Sequence, residues 1–188
     1  MAIMSSFSFI TQYLLKPRTV GAVLPSSKYL ADKMTQGIDF DNARCIVEYG
    51  PGTGVFTEKI LKQRKPDTLV LLFEKNIEFY GLLNEKYSKE PKLYIINDSA
   101  EYVGKYLIQH GVACADYIVS GLPFASLPYE VSSNILTQTK KYLKQEGSFI
   151  TFQYSLLKKD FIRQFFHEIA IGMEFRNIPP AYVLCCRN

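Results

Sequence analysis

The sequence predicts an α/β protein with a doubly wound, mostly parallel sheet. Short apolar runs alternate with longer segments of helical periodicity along most of the chain, which is typical of strands and crossover helices. The run at 69–73 is continuously apolar, as expected for a strand covered on both faces of a parallel sheet. Two strand-like runs at 173–178 and 181–187 flank Pro179 and Pro180 with no helix between them. They predict one antiparallel strand pair at an edge of the sheet.

The remaining elements follow from the same patterns in chain order. Strands are predicted at 45–49, 93–96, 116–120 and 148–154, and helices at 3–16, 28–36, 55–65, 77–88, 100–110, 129–144 and 157–169. Gly147 is expected to end the helix that precedes the fifth strand. With right-handed crossovers, these elements form a seven-stranded, Rossmann-like sheet with helices on both faces. We divide the chain into N-terminal helices at 1–36 and a main domain at 37–188.

Composition limits the functions that the chain can have. Its 188 residues are 47% hydrophobic and 21% charged, which is ordinary for a globular domain with a full core. The net charge of +4 permits contact with phosphates or an anionic membrane, but requires neither. The four cysteines lack metal-ligand spacing, so no metal site is predicted. Without a membrane-spanning run or a secretory signal, we expect a cytoplasmic protein that is at most peripheral on the membrane. No pattern predicts the oligomeric state.

A glycine loop follows the first predicted strand. Its pattern is G-x-G-x-G, and the dinucleotide fingerprint G-x-G-x-x-G would need glycine where Val55 stands. A strand, a glycine loop and a helix N-terminus together bring backbone N–H groups close to a ligand. The loop resembles the S-adenosylmethionine (SAM) loop of class I methyltransferases, and NAD is the alternative cofactor. The acidic residue before the loop is expected to order it or to face the methionine ammonium of SAM. The predicted cofactor residues here are Glu48, Gly50, Gly52, Gly54 and Phe56.

Polar residues also follow the second, third and fourth predicted strands. Ligands of open α/β sheets bind at the carboxyl ends of the strands, so these residues are candidates for the same site. A carboxylate at Glu74 is placed to accept hydrogen bonds from a ribose diol, and Asp98 or its backbone can contact the adenine. The alternatives are a solvated or Lys75-paired Glu74, and an Asp98 that caps a helix. The further cofactor residues predicted here are Glu74, Lys75, Asp98, Ser99 and Ser120.

Four segments resemble the bacterial phospholipid N-methyltransferases, which are class I enzymes related to the rRNA adenine dimethyltransferases. They are residues 15–27 (LKPRTVGAVLPSS), 47–57 (VEYGPGTGVFT), 120–124 (SGLPF) and 177–181 (NIPPA). The resemblance implies a class I methyltransferase sheet with SAM as cofactor. It also implies transfer of up to three methyl groups to the amine of phosphatidylethanolamine, and an N-terminal helix that binds anionic membrane.

Residues 3–16 form a predicted amphipathic helix, with basic residues at its C-terminal end. By itself this pattern favours a helix packed on the domain, whereas the resemblance favours a helix lying in a membrane interface. The residues predicted to contact the substrate or the membrane are Phe7, Ile10, Tyr13, Leu14, Lys16, Arg18 and Tyr129.

Methyl transfer from a sulfonium needs an amine held in line with the bond that breaks, so the expected catalytic residues are positioning residues. An amine that becomes quaternary suits an enclosure of aromatic rings, for which Phe124, Tyr129, Tyr154 and Tyr13 are candidates. The predicted catalytic residues are Gly121, Leu122, Phe124 and Tyr154.

The main alternative is an rRNA adenine N6-dimethyltransferase. Those enzymes resemble this chain through the glycine loop, but they carry Asn-Leu-Pro-Tyr after the fourth strand, where the aromatic ring stacks on a flipped base. This sequence has Gly121-Leu122-Pro123-Phe124, and Gly121 offers no side-chain acceptor for an adenine amino group. We also expect no C-terminal helical domain of the rRNA enzymes after Asn188, so RNA is the less expected partner. A methyltransferase for another amine and a non-catalytic SAM-binding module remain open.

Overall fold

The computed structural model describes residues 26–188, with side chains from Lys28 onward. Its sheet has seven strands in the order β3-β2-β1-β4-β5-β7-β6. The strands are β1 Cys45–Tyr49, β2 Leu69–Phe73, β3 Leu93–Ile96, β4 Ala115–Ser120, β5 Leu143–Gln153, β6 Glu168–Glu174 and β7 Ala181–Arg187. The helices are α1 Ser26–Thr35, α2 Val55–Gln63, α3 Ile77–Tyr87, α4 Val103–Gln109, α5 Tyr129–Tyr142 and α6 Lys159–Arg163, and a 3₁₀ turn, Ala100–Tyr102, precedes α4.

The glycine loop lies at the carboxyl end of the parallel strands. Strands β1 to β5 pair in parallel, so their carboxyl ends lie at the same edge. Strand β7 runs antiparallel to both β5 and β6. The predicted fold class is therefore confirmed, including the antiparallel pair at one edge.

Two apolar layers cover the sheet. On one face, Leu107 of α4, Ile135 of α5 and Ile162 of α6 belong to a single buried cluster with residues of the strands. On the other face, Leu30 of α1 and Ile60 of α2 belong to a second cluster. All five residues of β2 are buried, which explains why its sequence is continuously apolar.

The strands predicted at 45–49, 69–73 and 93–96 are confirmed at both ends. The helix predicted at 157–169 is wrong beyond its first turns, because α6 is short and β6 already begins at Glu168. The spacing of Ile162, Phe166 and Ile169 fits a helix, but residues 168–174 pair one by one with β7. Backbone pairing to an existing strand thus prevails over the helical spacing, and the strand predicted at 173–178 lies earlier in the chain.

Gly147 lies inside β5 and does not precede it. Strand β5 starts at Leu143, directly after α5, and its pairing with β4 shifts register between Ala115 and Tyr117. A Cβ atom on Gly147 would lie 2.7 Å from the carbonyl oxygen of Asp116. Glycine therefore permits the close approach of the two backbones at this irregularity.

The amphipathic helix predicted at 3–16 lies outside the described residues, as do its predicted contact residues, which are Phe7, Ile10, Tyr13, Leu14, Lys16 and Arg18. The next helix, α1, packs on α2. No helix within residues 26–188 is long and apolar enough to cross a membrane.

Candidate functional site

The glycine loop has a left-handed backbone at all three glycines. The φ angles of Gly50, Gly52 and Gly54 are 62°, 56° and 83°, a region that residues other than glycine rarely adopt. Gly50 N–H donates to the carbonyl oxygen of Phe73 (2.9 Å), and Gly54 is the N-cap residue of α2. Open space adjoins the loop at Gly52, where an added Cβ atom would meet nothing within 4 Å. The loop thus turns the chain from β1 into α2 at the carboxyl end of the sheet.

Glu48 is a fully buried carboxylate just before this loop. Thr57, in the first turn of α2, donates its hydroxyl to Glu48 Oε2 (2.7 Å). The other oxygen, Oε1, has no hydrogen-bond partner among the described residues. Burial, with a smaller contribution from the charge of Glu74, raises the pKa of Glu48 to about 8. Glu48 therefore joins β1 to α2, and its buried Oε1 remains unpaired among the described residues.

Glu74 is joined directly to the glycine loop. Its Oε2 accepts a hydrogen bond from Gly52 N–H (3.0 Å), and its Oε1 accepts one from Asn76 N–H (2.9 Å). Burial raises the pKa of this carboxyl group. An ionised carboxylate can accept about four hydrogen bonds, so these two leave capacity for ligand hydroxyls. Lys75 is exposed, and the ion pairs found within residues 28–188 do not include one between it and Glu74.

Asp98 is held by an aromatic hydroxyl. Tyr106 donates to Asp98 Oδ2 (2.9 Å), and Ser99 N–H donates to Asp98 Oδ1 (2.8 Å). The capping alternative belongs to Ser99, whose hydroxyl accepts from Glu101 N–H at the start of the 3₁₀ turn. The Asn97 side chain donates to the carbonyl oxygen of Glu74 (2.8 Å), which ties the ends of β3 and β2 together.

The segment after β4 packs against the glycine loop with no room for a side chain. Gly121 N–H donates to the carbonyl oxygen of Tyr49 (2.8 Å), and a Cβ atom on Gly121 would lie 2.6 Å from Gly50 O. A Cβ atom on Gly50 would lie 2.8 Å from a methyl group of Leu122. Ser120, fully buried, accepts a hydrogen bond from Leu122 N–H at its hydroxyl (3.2 Å). The structure thus brings the predicted residues Ser120, Gly121 and Leu122 into the loop region.

Phe124 does not face the open end of the site. Its side chain is fully buried in the core, where its ring meets Phe149 edge to face with 6.1 Å between centroids. In this arrangement the ring is buried, so contact between Phe124 and a substrate remains a prediction. Chain order places residue 124 after β4, but its ring lies in the core cluster and against Phe149 of β5.

The described members of the predicted aromatic enclosure contact different neighbouring rings. Tyr129 contacts Phe161 of α6 (5.2 Å between centroids), whereas Tyr154 contacts Phe152 of β5 (5.5 Å). Phe152 in turn contacts Phe56 of α2 (5.9 Å). A row of rings therefore links the helix after the glycine loop to the exposed Tyr154 at the end of β5, while Phe124 and Tyr129 lie elsewhere.

Four polar residues that support the site are absent from the sequence prediction. Thr57 holds Glu48, Tyr106 holds Asp98, Asn76 caps α3, and Asn97 joins two strand ends. The signal for Asn76 is an Asn just before a helical run, which is an ordinary capping pattern. The other three contacts depend on how separate elements pack, so no spacing in the sequence indicates them.

Among residues 26–188, no group of three or more His, Cys, Asp and Glu side chains could hold a metal ion.

Comparison with known protein sequences points to one enzyme class. The model of the family described as "Ribosomal RNA adenine dimethylase" matches residues 19–169. The "Ornithine lipid N-methyltransferase" of Singulisphaera acidiphila is 32% identical over 184 residues, covering 97% of this chain and 95% of that protein. The "Ribosomal RNA small subunit methyltransferase A" of Borreliella burgdorferi is 26% identical over 148 residues. That match covers 75% of this chain and 48% of the relative, so the chain spans about half the length of the rRNA enzyme.

Solved structures show the same fold at low sequence identity. An rRNA methylase from Streptococcus thermophilus has a TM-score of 0.62 with 14% identity, over 89% of this chain and 99% of that one. A chain from Streptococcus mutans, solved in complex with SAH, has a TM-score of 0.63 with 14% identity, over 89% of this chain and 100% of that one.

Proposed function

This chain belongs to the ribosomal RNA adenine dimethylase family of SAM-dependent methyltransferases, and within that family we propose that it methylates the primary amine of a membrane lipid. That it is a SAM-dependent N-methyltransferase follows from the family and the fold. The lipid substrate is the part that we propose. The observation that carries it is the near full-length similarity to a lipid N-methyltransferase, and the glycine at position 121 agrees with it.

The residues of the site fit SAM. The cationic group of a bound ligand would favour the ionised form of the buried Glu48 carboxyl group, whose Oε1 is unpaired. Glu74 retains acceptor capacity for ribose hydroxyls beside Gly52, and Asp98 lies at the end of the neighbouring strand. The left-handed glycines leave open space where the ligand's polar groups would approach the backbone. NAD, the alternative cofactor, lacks support in the family comparison.

Bound SAM supplies a methyl group on a sulfonium that is already activated for transfer. The task of the chain is then to hold the acceptor amine in line and to exclude water. We assign positioning roles to the backbone of Gly121 and Leu122, which lie against the glycine loop, and to the ring of Tyr154. An aromatic face near the acceptor would stabilise an amine that gains positive charge by methylation.

Position 121 supports a lipid amine over adenine. An adenine N6-methyltransferase uses a side-chain acceptor here to hold the amino group of a flipped base. In this chain, even one Cβ atom at that position would overlap Gly50 O. Phe124, which would have to stack on the base, is buried in the core. Both differences favour a small, flexible amine that needs neither contact.

Two lipids carry a suitable primary amine. Phosphatidylethanolamine is the substrate implied by the sequence resemblance, and ornithine lipid is the one named for the relative in Singulisphaera acidiphila. The aminolipid class is the proposal, because nothing among the described residues distinguishes the two headgroups.

The test uses SAM with a labelled methyl group and detergent micelles that contain one aminolipid at a time. Label in the lipid extract supports the proposal, and the matched Glu74→Ala variant should show none. Label in added rRNA, with none in either lipid, would establish the RNA alternative and overturn the lipid proposal.

A further inference from the structure

Two loops at the carboxyl end of the sheet carry exposed apolar side chains. Leu156 and Leu157 lie between β5 and α6, and Phe175 and Ile178 lie between β6 and β7. The exposed fractions of Leu157, Phe175 and Ile178 are 89%, 72% and 65%. We name these four residues the loop surface. Single exposed apolar residues are ordinary, but a group of them at one end of a domain indicates an interaction site.

Strand register shows that the two loops are neighbours. Glu174 pairs with Ala181, and Gln153 pairs with Tyr182, so both loops leave the sheet beside the start of β7. Strands β5 and β6 both run antiparallel to β7, so both loops emerge at the edge where β1 and β4 also end. The loop surface therefore lies at the same end of the sheet as the glycine loop.

The flanking charges suit an anionic partner. Lys158 and Lys159 follow the apolar pair directly, and Arg163 is exposed at the end of α6, against one carboxylate in that stretch, Asp160. In the other loop, Arg176 forms an ion pair with Glu174 (2.8 Å) and keeps its side chain 63% exposed. Apolar tips flanked by cations match an anionic bilayer interface, where apolar groups enter and cations stay with the headgroups.

We propose that the loop surface inserts into an anionic phospholipid bilayer and so turns the carboxyl end of the sheet toward the headgroups. The inference rests on the proposed function in one respect, which is that a bilayer substrate needs this orientation. The loop surface consists of residues other than the predicted amphipathic helix at 3–16. An aminolipid headgroup could then reach the glycine loop and the segment after β4 without leaving the membrane.

The chain contains no Trp, so one introduced indole reports on one place. In the full-length protein, we would place it by Leu157→Trp and by Phe175→Trp, with Ile108→Trp as the matched control. Ile108 is 66% exposed, but it lies near the end of α4, which leads into the start of β4 at the opposite edge of the sheet.

With vesicles of phosphatidylglycerol and phosphatidylethanolamine, emission from positions 157 and 175 should shift to the blue. Lipids brominated in the acyl chain should quench it, because indoles settle at the membrane interface. The control at 108 should do neither. Absence of quenching at both loop positions, whether or not the protein sediments with the vesicles, overturns the proposal. A second result would also overturn the proposal. If the emission is already blue-shifted before vesicles are added, and brominated lipids do not quench it, then another segment of this chain covers the loops.

Introducing negative charge into the loop surface gives an independent readout. Leu157→Glu with Phe175→Glu should lower partitioning onto these vesicles by at least about tenfold, since two apolar groups are replaced by carboxylates. Ile108→Glu should change it by less than about twofold. Equal partitioning of the double variant and the wild type would overturn the proposal. Methylation of aminolipid in detergent micelles distinguishes the proposed docking surface from the proposed lipid substrate. Activity in micelles without insertion of the loops into vesicles would contradict only the docking surface. Insertion without activity would contradict only the lipid substrate.

Discussion

A Cβ atom on Gly121 would lie 2.6 Å from the carbonyl oxygen of Gly50, closer than real side chains approach a backbone atom. The contact joins the segment after β4 to the glycine loop after β1, and so links the proposed substrate side of the site to its cofactor side. An acceptor side chain at position 121 would require one of these two backbones to move. The glycine is thus a packing requirement of this chain as well as a difference from adenine methyltransferases.

Gly121→Ala and Gly121→Asn should therefore weaken SAM binding. Displacing the glycine loop should cost about 1–3 kcal/mol, as overpacking does elsewhere, and so lower affinity by about fivefold to about 150-fold. Isothermal titration calorimetry measures the effect. Gly37→Ala is the matched control, because a Cβ atom there meets nothing within 4 Å. If Gly121→Asn binds SAM with wild-type affinity, residue 121 does not pack against the carbonyl oxygen of Gly50 as described.

Glu74→Ala should lower SAM affinity at least about tenfold, because it removes a charged acceptor that also holds Gly52 N–H. Calorimetry with SAM and SAH checks the loss. Glu58→Ala removes an exposed carboxylate that pairs with Lys62 on the surface of α2, and it should leave affinity unchanged. If both variants bind SAM like the wild type, Glu74 does not contact the cofactor.

Stability of the cofactor-free protein should depend on Glu48. Burial raises the pKa of this carboxyl group from 4.5 to about 8, so the unfolded chain loses the proton at lower pH than the folded protein does. The free energy of unfolding should fall as pH rises from about 4.5 to about 8, by at most about 1.4 kcal/mol per pH unit, and level off above that range.

Chemical denaturation across this range tests the effect. Glu48→Gln should remove the part of the slope that Glu48 causes, whereas Glu58→Gln should keep it, because ion pairing with Lys62 lowers the pKa of Glu58 and confines its effect to more acidic solutions. Parallel pH profiles for wild type and Glu48→Gln would contradict the burial of an unpaired carboxyl oxygen.

Phe124→Ala should destabilise the protein by about 3–5 kcal/mol, since it leaves a cavity beside Phe149 in the core. Tyr129→Ala, at a side chain that is 63% exposed, should cost less than about 1 kcal/mol. Urea unfolding compares the two. A Phe124→Ala protein of normal stability that loses methyl transfer would instead return this ring to the substrate site.

Much of the fold is predictable because buried parallel strands are continuous apolar runs. The bounds of β2 agree with the sequence prediction for this reason, and those of β1 and β3 agree as well. Strand β6 is less predictable, since it owes its backbone conformation to pairing with β7 and not to its own pattern. The start of β5 was also missed, because Gly147 acts as a close-approach residue within a strand and not as a helix stop.

The sequence predicts where the candidate cofactor residues lie in the fold better than where the candidate substrate residues lie. Strand order brings Glu48, Glu74 and Asp98 to one edge regardless of side-chain detail. Whether a ring after β4 points into the core or toward the substrate depends on a single turn, and sequence spacing does not encode it. Phe124 shows this limit, and so does the contact between Thr57 and Glu48, which depends on how α2 packs.

The most direct test of the account is a competition for methyl groups in one reaction. Purified protein and SAM would be incubated with micelles that contain phosphatidylethanolamine and ornithine lipid, together with rRNA, and each fraction would be analysed by mass spectrometry over time. We predict stepwise methylation of at least one aminolipid and none of the RNA. Dimethylated adenine in the RNA, with both lipids unchanged, would contradict the proposed lipid substrate.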